Sequence, residues 1–477
     1  MPVKSIEGSE SIKIKALEFD SRKVSKNTAF VAISGTQVDG HEFIDKAIDQ
    51  GATAIICERL PKKVQQDVCY IVVQNTAVSL GQLASNFYDN PSKNLQLVGI
   101  TGTNGKTTVA SLLFQLFRDL GFGVGLISTV KYVVNDKEIP STHTTPDALK
   151  LNALLSQMVE EGCEYCFMEV SSHAISQARI EGLTFTGAAF TNITHDHLDY
   201  HKTFGQYINT KKELFDNLPS NAFALTNKDD RNGSVMVQNC KASRYTYSIN
   251  GLADFKGKII EQDFNGMLLE IAGKEAWYAQ SGKFNAYNLL TVYSIAFLLG
   301  IEEDKIIQSL SKAQKVAGRF ETLVSAQRII GIIDYAHTPD ALENVLKTIN
   351  EIRSRNEKLI TVFGCGGDRD KTKRPKMAKV ACDMSDRVLI TSDNPRFEDP
   401  ESILQDIQKG VPAEHYKKAI KITDREEAIK TAISFAEPND IILIAGKGHE
   451  TYQDIQGKKT EFNDKEILIK NLRLLKG

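Results

Sequence analysis

The chain has little cysteine, no long apolar run and almost no net charge. Seven cysteines among 477 residues are too few for a disulfide framework. The N-terminal stretch MPVKSIEGSESIKIKALEFD holds no apolar segment fit for a secretory signal. Free thiols in a reducing compartment, the cytoplasm, are therefore expected. Cys163 and Cys166 form a C-x-x-C pair, but Cys166 opens an apparent strand and no second pair exists, which favours buried structural cysteines over a redox or metal site. The most apolar stretch, 289–301, is 13 residues long and contains Thr291 and Ser294, too short to span a bilayer. Lys plus Arg number 58 against 60 Asp plus Glu, a formal charge of −2. That balance supplies no overall field for gripping nucleic acid and leaves room only for local phosphate sites. Internal repeats and low-complexity tracts are also missing.

What remains is an ordinary globular composition, 42% apolar and 25% charged with 32 Gly and 12 Pro, long enough for two to four domains. Short β-rich runs alternate with helical patterns almost throughout, which predicts an α/β fold. The first segment, 1–94, carries strand candidates at 28–32 and 52–56 around a helical run at 42–49, and the pattern breaks at the polar stretch 89–94. The second segment, 95–320, opens with a strand at 95–100, then TGTNGKTT, then a helix. Val109, Leu112, Leu113, Leu116, Phe117 and Leu120 of that helix share one face, and Gly121 stands at its C-terminal cap. Strands follow near 166–170 and 187–193, hairpins at 243–280 and a helix at 288–299. The third segment, 321–477, has strand candidates at 329–333, 359–363, 387–391 and 441–445. Each precedes a polar stretch: DYAHTPD, GCGGDRD, SDNPRFEDP and GKGHE. In a doubly wound sheet such stretches gather at the ligand crevice outside the carboxyl ends of the strands.

Gly102, Thr103, Asn104, Gly105, Lys106, Thr107 and Thr108 lie between a predicted strand and a predicted helix. In that context glycines let backbone N–H groups approach phosphates and the helix N-terminus adds a favourable dipole. Lys106 would neutralise β/γ-phosphate oxygens and Thr107 would offer a hydroxyl to Mg²⁺. The spacing is one glycine short of the general G-x-x-x-x-G-K-[ST] pattern, because Ile100 stands at its first position. A glycine-rich turn with a surface lysine is the plainer alternative. Glu169 ends a strand in the same segment. Residues 194–201, THDHLDYH, pack three histidines and two aspartates into eight positions, a density that suggests metal chemistry. Zinc suits imidazole, but no nearby thiolate completes a familiar spacing, so a phosphate-bound Mg²⁺ is the more economical reading.

GTNGKTT, TTPD at 144–147, EVSSHA at 169–174, TNITHDHLDYH at 191–201 and Y-x-x-T-K-x-x-L-F at 207–215 resemble the Mur ligases. GKFNAYN at 282–288, GRFE at 318–321, DYAHTPD, GCGGDRD and GKGHE extend the likeness in order over nearly the whole chain, and the short phosphate loop is normal for that family. The resemblance implies three domains: a UDP-binding N-terminal domain, a central P-loop ATPase and a C-terminal Rossmann-like domain for the incoming amino acid. It implies an ATP-dependent ligase of peptidoglycan precursor synthesis, and hence a role in cell wall biogenesis, cell shape and cell division. ATP would phosphorylate the glutamyl carboxylate of UDP-N-acetylmuramoyl-L-alanyl-D-glutamate, and the amine of the incoming amino acid would displace phosphate to leave an amide. By the same resemblance Lys106, Glu169, His197 and Lys211 are catalytic; Thr107 and Glu169 hold one Mg²⁺ and His197 a second. Lys211 would be carbamylated and assist there as an anion, although by sequence alone it reads as a surface lysine. Asn288, Arg319 and Asp334 are implied near ATP; a helix N-cap and a domain-boundary surface charge remain alternative readings of the first two. Ser21, Thr144, Thr145, Ser172, Gln177 and Arg179 are implied on the UDP-linked substrate, Arg179 with the clearest physical reason, a fork suited to carboxylate or phosphate.

Asp393, Asn394, Pro395 and Arg396 resemble the form of this motif in family members that add meso-2,6-diaminopimelate. That amino acid is lysine-like with an extra carboxylate at its far end, which a planar guanidinium can pair at two points. L-lysine would leave the arginine unmatched. Asp393 would take an ammonium, and Arg369, Asn394, Gly446 and Glu450 are further implied contacts. An exposed turn arginine is the alternative. Folylpolyglutamate synthase, a nucleotide-regulated binding protein and a P-loop motor are the rival functions. A monomer with small-molecule substrates, no nucleic acid partner and no membrane insertion is expected.

Overall fold

Apolar runs too short for helices become strands buried on both faces, as expected where helices cover a parallel sheet. All seven residues of one such strand, Leu359–Cys365, and all five of another, Ile441–Ala445, are buried. In the computed structural model, which describes residues 3–8, 12–35, 38–194, 196, 198–354 and 356–474, three large sheets and one hairpin carry the fold.

The first sheet contains β1 (Val3–Glu7), β2 (Ala16–Glu18), β3 (Thr28–Val31), β4 (Ala52–Cys57) and β5 (Cys69–Val73) in the order β1-β5-β4-β3-β2. The chain then runs through a 3₁₀ turn, Pro91–Asn94, into the second sheet. Its strands are β6 (Gln96–Thr101), β7 (Val124–Ile127), β8 (Lys131–Val134), β9 (Lys137–Pro140), β10 (Tyr165–Glu169) and β11 (Gly187–Phe190). They continue as β12 (Phe223–Asn227), β13 (Ser243–Ser248), β14 (Phe255–Gln262), β15 (Met267–Ile271) and β16 (Lys274–Tyr278). β6 lies inside this sheet, paired in parallel with β10 on one side and β11 on the other. Thr101, Glu169 and Phe190 therefore end at one edge. From Phe255 to Tyr278 the 243–280 stretch forms hairpins as expected. β13 instead adds in parallel to β12, because its Tyr247 buries its ring and donates its hydroxyl to Phe190 O at 3.1 Å.

Three helices serve this part of the site: α1 (Lys106–Asp119), α2 (Phe204–Asp216) and α3 (Lys283–Leu298). Five of the six residues on the periodic face of α1 are buried as expected, Leu120 is half-buried at the C-terminal cap, and Gly121 follows at φ +88. α3 begins five residues before the expected start, capped by Gly282, so Asn288 lies inside the helix and is not its N-cap. Its apolar residues run around most of the helix, which left the sequence with no one-sided period to mark the start.

The third sheet holds β17 (Glu321–Val324), β18 (Ile330–Asp334), β19 (Leu359–Cys365), β20 (Arg387–Ser392), β21 (Ala419–Lys421) and β22 (Ile441–Ala445). Alternate residues such as Ile332 and Ile333 face two separate cores. The order is β17-β18-β22-β19-β20-β21, so β22 returns between β18 and β19. Such a reversal opens a crevice at the carboxyl edge. A hairpin of β23 (Tyr452–Ile455) and β24 (Lys458–Glu461) stands beside that edge. Helices α4 (Pro339–Ile352), α5 (Arg425–Phe435) and α6 (Asp464–Leu474) cover the sheet. Among the described residues no helix is long and apolar enough to cross a membrane. The seven cysteines carry no disulfide, and Cys163 and Cys166 are both buried.

Candidate active site

The carboxyl edges of the second and third sheets face each other across one cleft of about 1750 Å³. Its lining brings together Thr103 to Thr108, Glu169, Asn288, Arg319 and Asp334 on the nucleotide side. Thr144, Thr145 and Arg179 line it as well, together with Arg369, Asp393, Asn394, Arg396, Gly446 and Glu450. Gly102, Ser172, Gln177 and Lys211 sit behind the wall, and Ser21 lies apart, on a short turn after β2. His197 lies outside the described residues.

The phosphate loop turns between β6 and α1. Gly102 has φ +149, and a Cβ there would stand 2.0 Å from Thr191 Oγ1; Gly105 has φ +88, and its Cβ would stand 2.4 Å from Asn288 Oδ1. Both positions thus need glycine for backbone angle and for space. Lys106 donates from Nζ to Gly102 O at 3.0 Å and Thr103 O at 2.8 Å, folded over the loop where phosphate would lie. Burial pulls its pKa below the ordinary value, against the pull of Glu169 and Asp196.

Lys211 is not the surface lysine that its Lys-Lys-Glu setting suggests. α2 starts at the Thr203 cap and turns this side chain inward, where it is 1% exposed and donates to Gly102 O at 2.9 Å. Burial, and then the neighbouring Lys106 charge, push its pKa well below the ordinary lysine value. That direction favours the neutral, nucleophilic form of the amine more than in an exposed lysine.

Glu169, 1% exposed at the end of β10, accepts from Thr129 N at 2.7 Å and Thr129 Oγ1 at 3.3 Å. Thr129 in turn meets Thr144 at 2.9 Å, and Thr145 Oγ1 donates to Glu169 O at 2.7 Å. Gln177 Oε1 accepts from Arg179 at 2.6 and 3.1 Å, while Arg179 NH1 holds Thr145 O at 2.7 Å. Gln177 therefore orients Arg179 from behind. Ser172 is buried against His201, Oγ to Nε2 at 2.9 Å.

Arg319 is no free surface charge. Its NH2 donates to Thr107 Oγ1 at 3.0 Å, its guanidinium lies 4.6 Å from the Tyr335 ring centroid, and its buried Nε has no hydrogen-bond partner among the described residues. Asp334 accepts from Phe320 N at 2.7 Å and Ala336 N at 2.8 Å, and burial pushes its carboxyl up to about 6. Burial likewise holds the neighbouring imidazoles neutral, His337 at about 4 and His449 at about 3.

On the third sheet, β20 delivers Asp393 to Arg396 and β22 delivers Gly446 to Glu450. Lys447 is wholly buried between them, donating to Asn394 Oδ1 at 3.1 Å and Glu450 Oε2 at 3.2 Å, with Asp393 Oδ1 at 3.6 Å. Asn394 Nδ2 also donates to Glu450 Oε2 at 2.8 Å. Arg396 is half-buried at φ +51, its NH1 donating to Gly367 O at 2.8 Å, so it is no free turn residue. Arg369 is exposed, and its guanidinium has no hydrogen bond among the described residues.

The sequence pattern missed two groups here. Lys447 stands inside the quoted GKGHE, but nothing in its spacing tells a buried ammonium from an exposed one. Asp340, the last residue of DYAHTPD, accepts from Asn104 Nδ2 and Thr194 Oγ1, both at 3.0 Å, and so joins α4 to the phosphate loop.

Comparison with known proteins agrees with this geometry. Residues 13–88 match the Mur ligase family catalytic domain, 100–296 the Mur ligase middle domain and 318–448 the Mur ligase glutamate ligase domain. The chain is 54% identical over 469 residues to the UDP-N-acetylmuramoyl-L-alanyl-D-glutamate--2,6-diaminopimelate ligase of Cytophaga hutchinsonii, covering 98% of this chain and 96% of that one. It is 54% identical over 467 residues to the ligase of the same name from Bacteroides fragilis, covering 98% and 96%. A solved structure bearing that name superposes with a TM-score of 0.69 at 31% identity, covering 97% of this chain and 96% of that chain. Folylpolyglutamate synthase from Thermotoga maritima shares the fold at a TM-score of 0.60 and 17% identity over 77% of this chain and 90% of that one. The chain belongs to the Mur ligase family, with the three-domain α/β fold of its members.

Proposed function

We propose that this protein is the ATP-dependent ligase that joins meso-2,6-diaminopimelate to UDP-N-acetylmuramoyl-L-alanyl-D-glutamate in peptidoglycan precursor synthesis. One observation carries the reading: a single cleft is lined on one side by the phosphate loop and Glu169 and on the other by Arg369, Asp393, Arg396 and Glu450. The names of the relatives at 54% identity over nearly the whole chain support it. Residues 1–94 would take the UDP end, 95–320 the nucleotide and 321–477 the amino acid, the protein acting as a monomer in the cytoplasm.

The reaction joins two anions before it joins an amine. The glutamyl carboxylate attacks the γ-phosphorus of ATP, ADP leaves and an acyl phosphate forms. The free amine then adds to the acyl carbon, and the tetrahedral intermediate collapses to the amide with loss of phosphate. Lys106, already poised over Gly102 O and Thr103 O, moves its ammonium onto phosphate oxygens and lowers the repulsion of the first step. Arg319 holds the Thr107 hydroxyl in place. Arg179, oriented by Gln177, faces the substrate carboxylate or phosphate.

Hard oxygen donors at Thr107 and Glu169 beside a phosphate loop fit Mg²⁺, which commonly takes one or two carboxylates and completes its shell with phosphate and water. Bound there, the ion would supply charge neutralisation at the transferring phosphoryl group. The depressed Lys211 amine suits carbamylation: its neutral form adds CO₂, a proton leaves and an anionic carbamate takes the place of the amine. That carbamate, with His197, would face a second Mg²⁺.

The test is phosphate release from ATP with UDP-N-acetylmuramoyl-L-alanyl-D-glutamate, comparing meso-diaminopimelate with L-lysine. Release with diaminopimelate alone is expected. Release with lysine would retain the ligase and remove the assigned role of Arg396; release with neither would defeat the reading.

A further inference from the structure

The two loops that carry the amino-acid side of the cleft leave from β20 and β22, which are not neighbours, since β19 lies between them. No ladder joins them directly; each is related to the other only through its own pairing with β19, Ser392 opposite Cys365 and Ala445 opposite Phe363. Arg425, the first residue of α5, lies beneath both, and its side chain is 0% exposed. Its NH1 donates to Ser392 O at 3.2 Å and its NH2 to Ala445 O at 3.0 Å. Those are the residues immediately before Asp393 and Gly446. Its Nε and NH2 also donate to the Asp464 carboxylate at 2.8 and 2.7 Å, and Asp464, the first residue of α6, is equally buried.

This arrangement is a poor way to gain stability. A cation in the first turn of a helix opposes the helix dipole, and a fully desolvated ion pair is commonly matched or bettered by apolar side chains of similar volume. A planar fork is, however, the one side chain able to reach two carbonyls and a carboxylate from fixed directions. The guanidinium also attracts Asp393 and Glu450, the acidic groups of the loops it ties.

Resting on the ligase reading, we propose that Arg425, held by Asp464, is a positioning residue that fixes the spacing of the 393–396 and 446–450 loops and thereby the affinity for the incoming amino acid, without touching substrate.

The decisive variant is the double substitution Arg425→Met, Asp464→Leu in the full-length enzyme, which removes the staple while leaving no unpaired buried charge. It is expected to fold and to raise KM for meso-diaminopimelate about tenfold or more, the scale of one or two lost hydrogen bonds from a charged donor. KM for ATP and for the UDP substrate should stay close to wild type, and hydrogen exchange of the amides in both loops should quicken. A folded double variant with unchanged amino-acid KM and unchanged exchange overturns the proposal. Should that variant not fold, Arg425→Lys, which keeps the charge but cannot span both carbonyls, is read by the same split. A unaltered diaminopimelate KM in folded Arg425→Lys then overturns it. Wild-type enzyme that releases no phosphate with diaminopimelate defeats the ligase reading instead, while the exchange comparison still decides whether Arg425 ties the loops.

Discussion

Replacing Arg396 by alanine probes the amino-acid side of the cleft without dismantling it. Its backbone is held independently of its side chain, by Arg396 N to Asp454 O at 2.9 Å and Gln456 N to Arg396 O at 2.7 Å. Alanine at φ +51 bears a left-handed strain like that of arginine, so the thermal midpoint should move little. What disappears is a guanidinium held by Gly367 O on a residue that lines the cleft. A hydrogen bond to a charged partner contributes about 1.5–3 kcal/mol, and about 1.4 kcal/mol is a factor of ten. KM for meso-diaminopimelate should therefore rise roughly 10- to 100-fold. The distal carboxylate lies away from the reacting amine, so this is binding shared by ground and transition states, and kcat should change far less than KM. L-lysine should gain relative to diaminopimelate, because one unmatched cation has left the pocket. Arg396→Lys should fall between, keeping charge without the fork. Steady-state phosphate release with each amino acid, at saturating ATP and UDP substrate, measures all three. An unchanged diaminopimelate KM in Arg396→Ala would refute the pairing.

Lys211→Ala should abolish turnover in the same assay, with partial recovery in acetate or formate; full activity without additive would remove the carbamate from the mechanism. Gly105→Ala places a methyl 2.4 Å from Asn288 Oδ1 at φ +88, so kcat/KM for ATP should fall at least about tenfold, given roughly 1–2 kcal/mol of left-handed strain plus the displaced loop. Wild-type ATP kinetics in that variant would contradict the tight fit. Asp334 has its carboxyl raised from 3.8 to about 6, so the folded state binds the extra proton and stability falls as pH rises across that window, by on the order of 3 kcal/mol. Urea midpoints for Asp334→Asn should lack that part of the slope between pH 4 and 6. The absolute stability is less diagnostic, since asparagine surrenders one of two backbone acceptors.

The phosphate loop was legible because its chemistry is local. A strand, two glycines at positions that admit no side chain, a lysine and a helix start within a few residues. The four polar stretches after β18, β19, β20 and β22 were legible for a similar reason, since parallel strands send their carboxyl ends to one edge. α3 starts five residues before its pattern announces it, and β13 pairs in parallel and not as a hairpin, because burial all round a helix and one buried tyrosine outweigh local pattern. Lys211 shows the limit most clearly. Three charged neighbours in a row read as a solvated face, and only the packing of α2 against the phosphate loop buries the amine and depresses it.

By itself, then, the sequence determined the α/β class, the order of the motifs, the nucleotide loop and the resemblance that names the family. These depend on short-range spacing, which a linear string records. The tertiary structure alone decided which motifs share a cleft, that Gln177 aims Arg179, that Lys447 lies between Asn394 and Glu450, and that Arg425 reaches under two strands from a third element. Several of those relations join groups tens of residues apart, and even the short-range pairs take their geometry from distant packing. Their energies come from desolvation and from hydrogen bonds whose partners only the folded chain brings within reach.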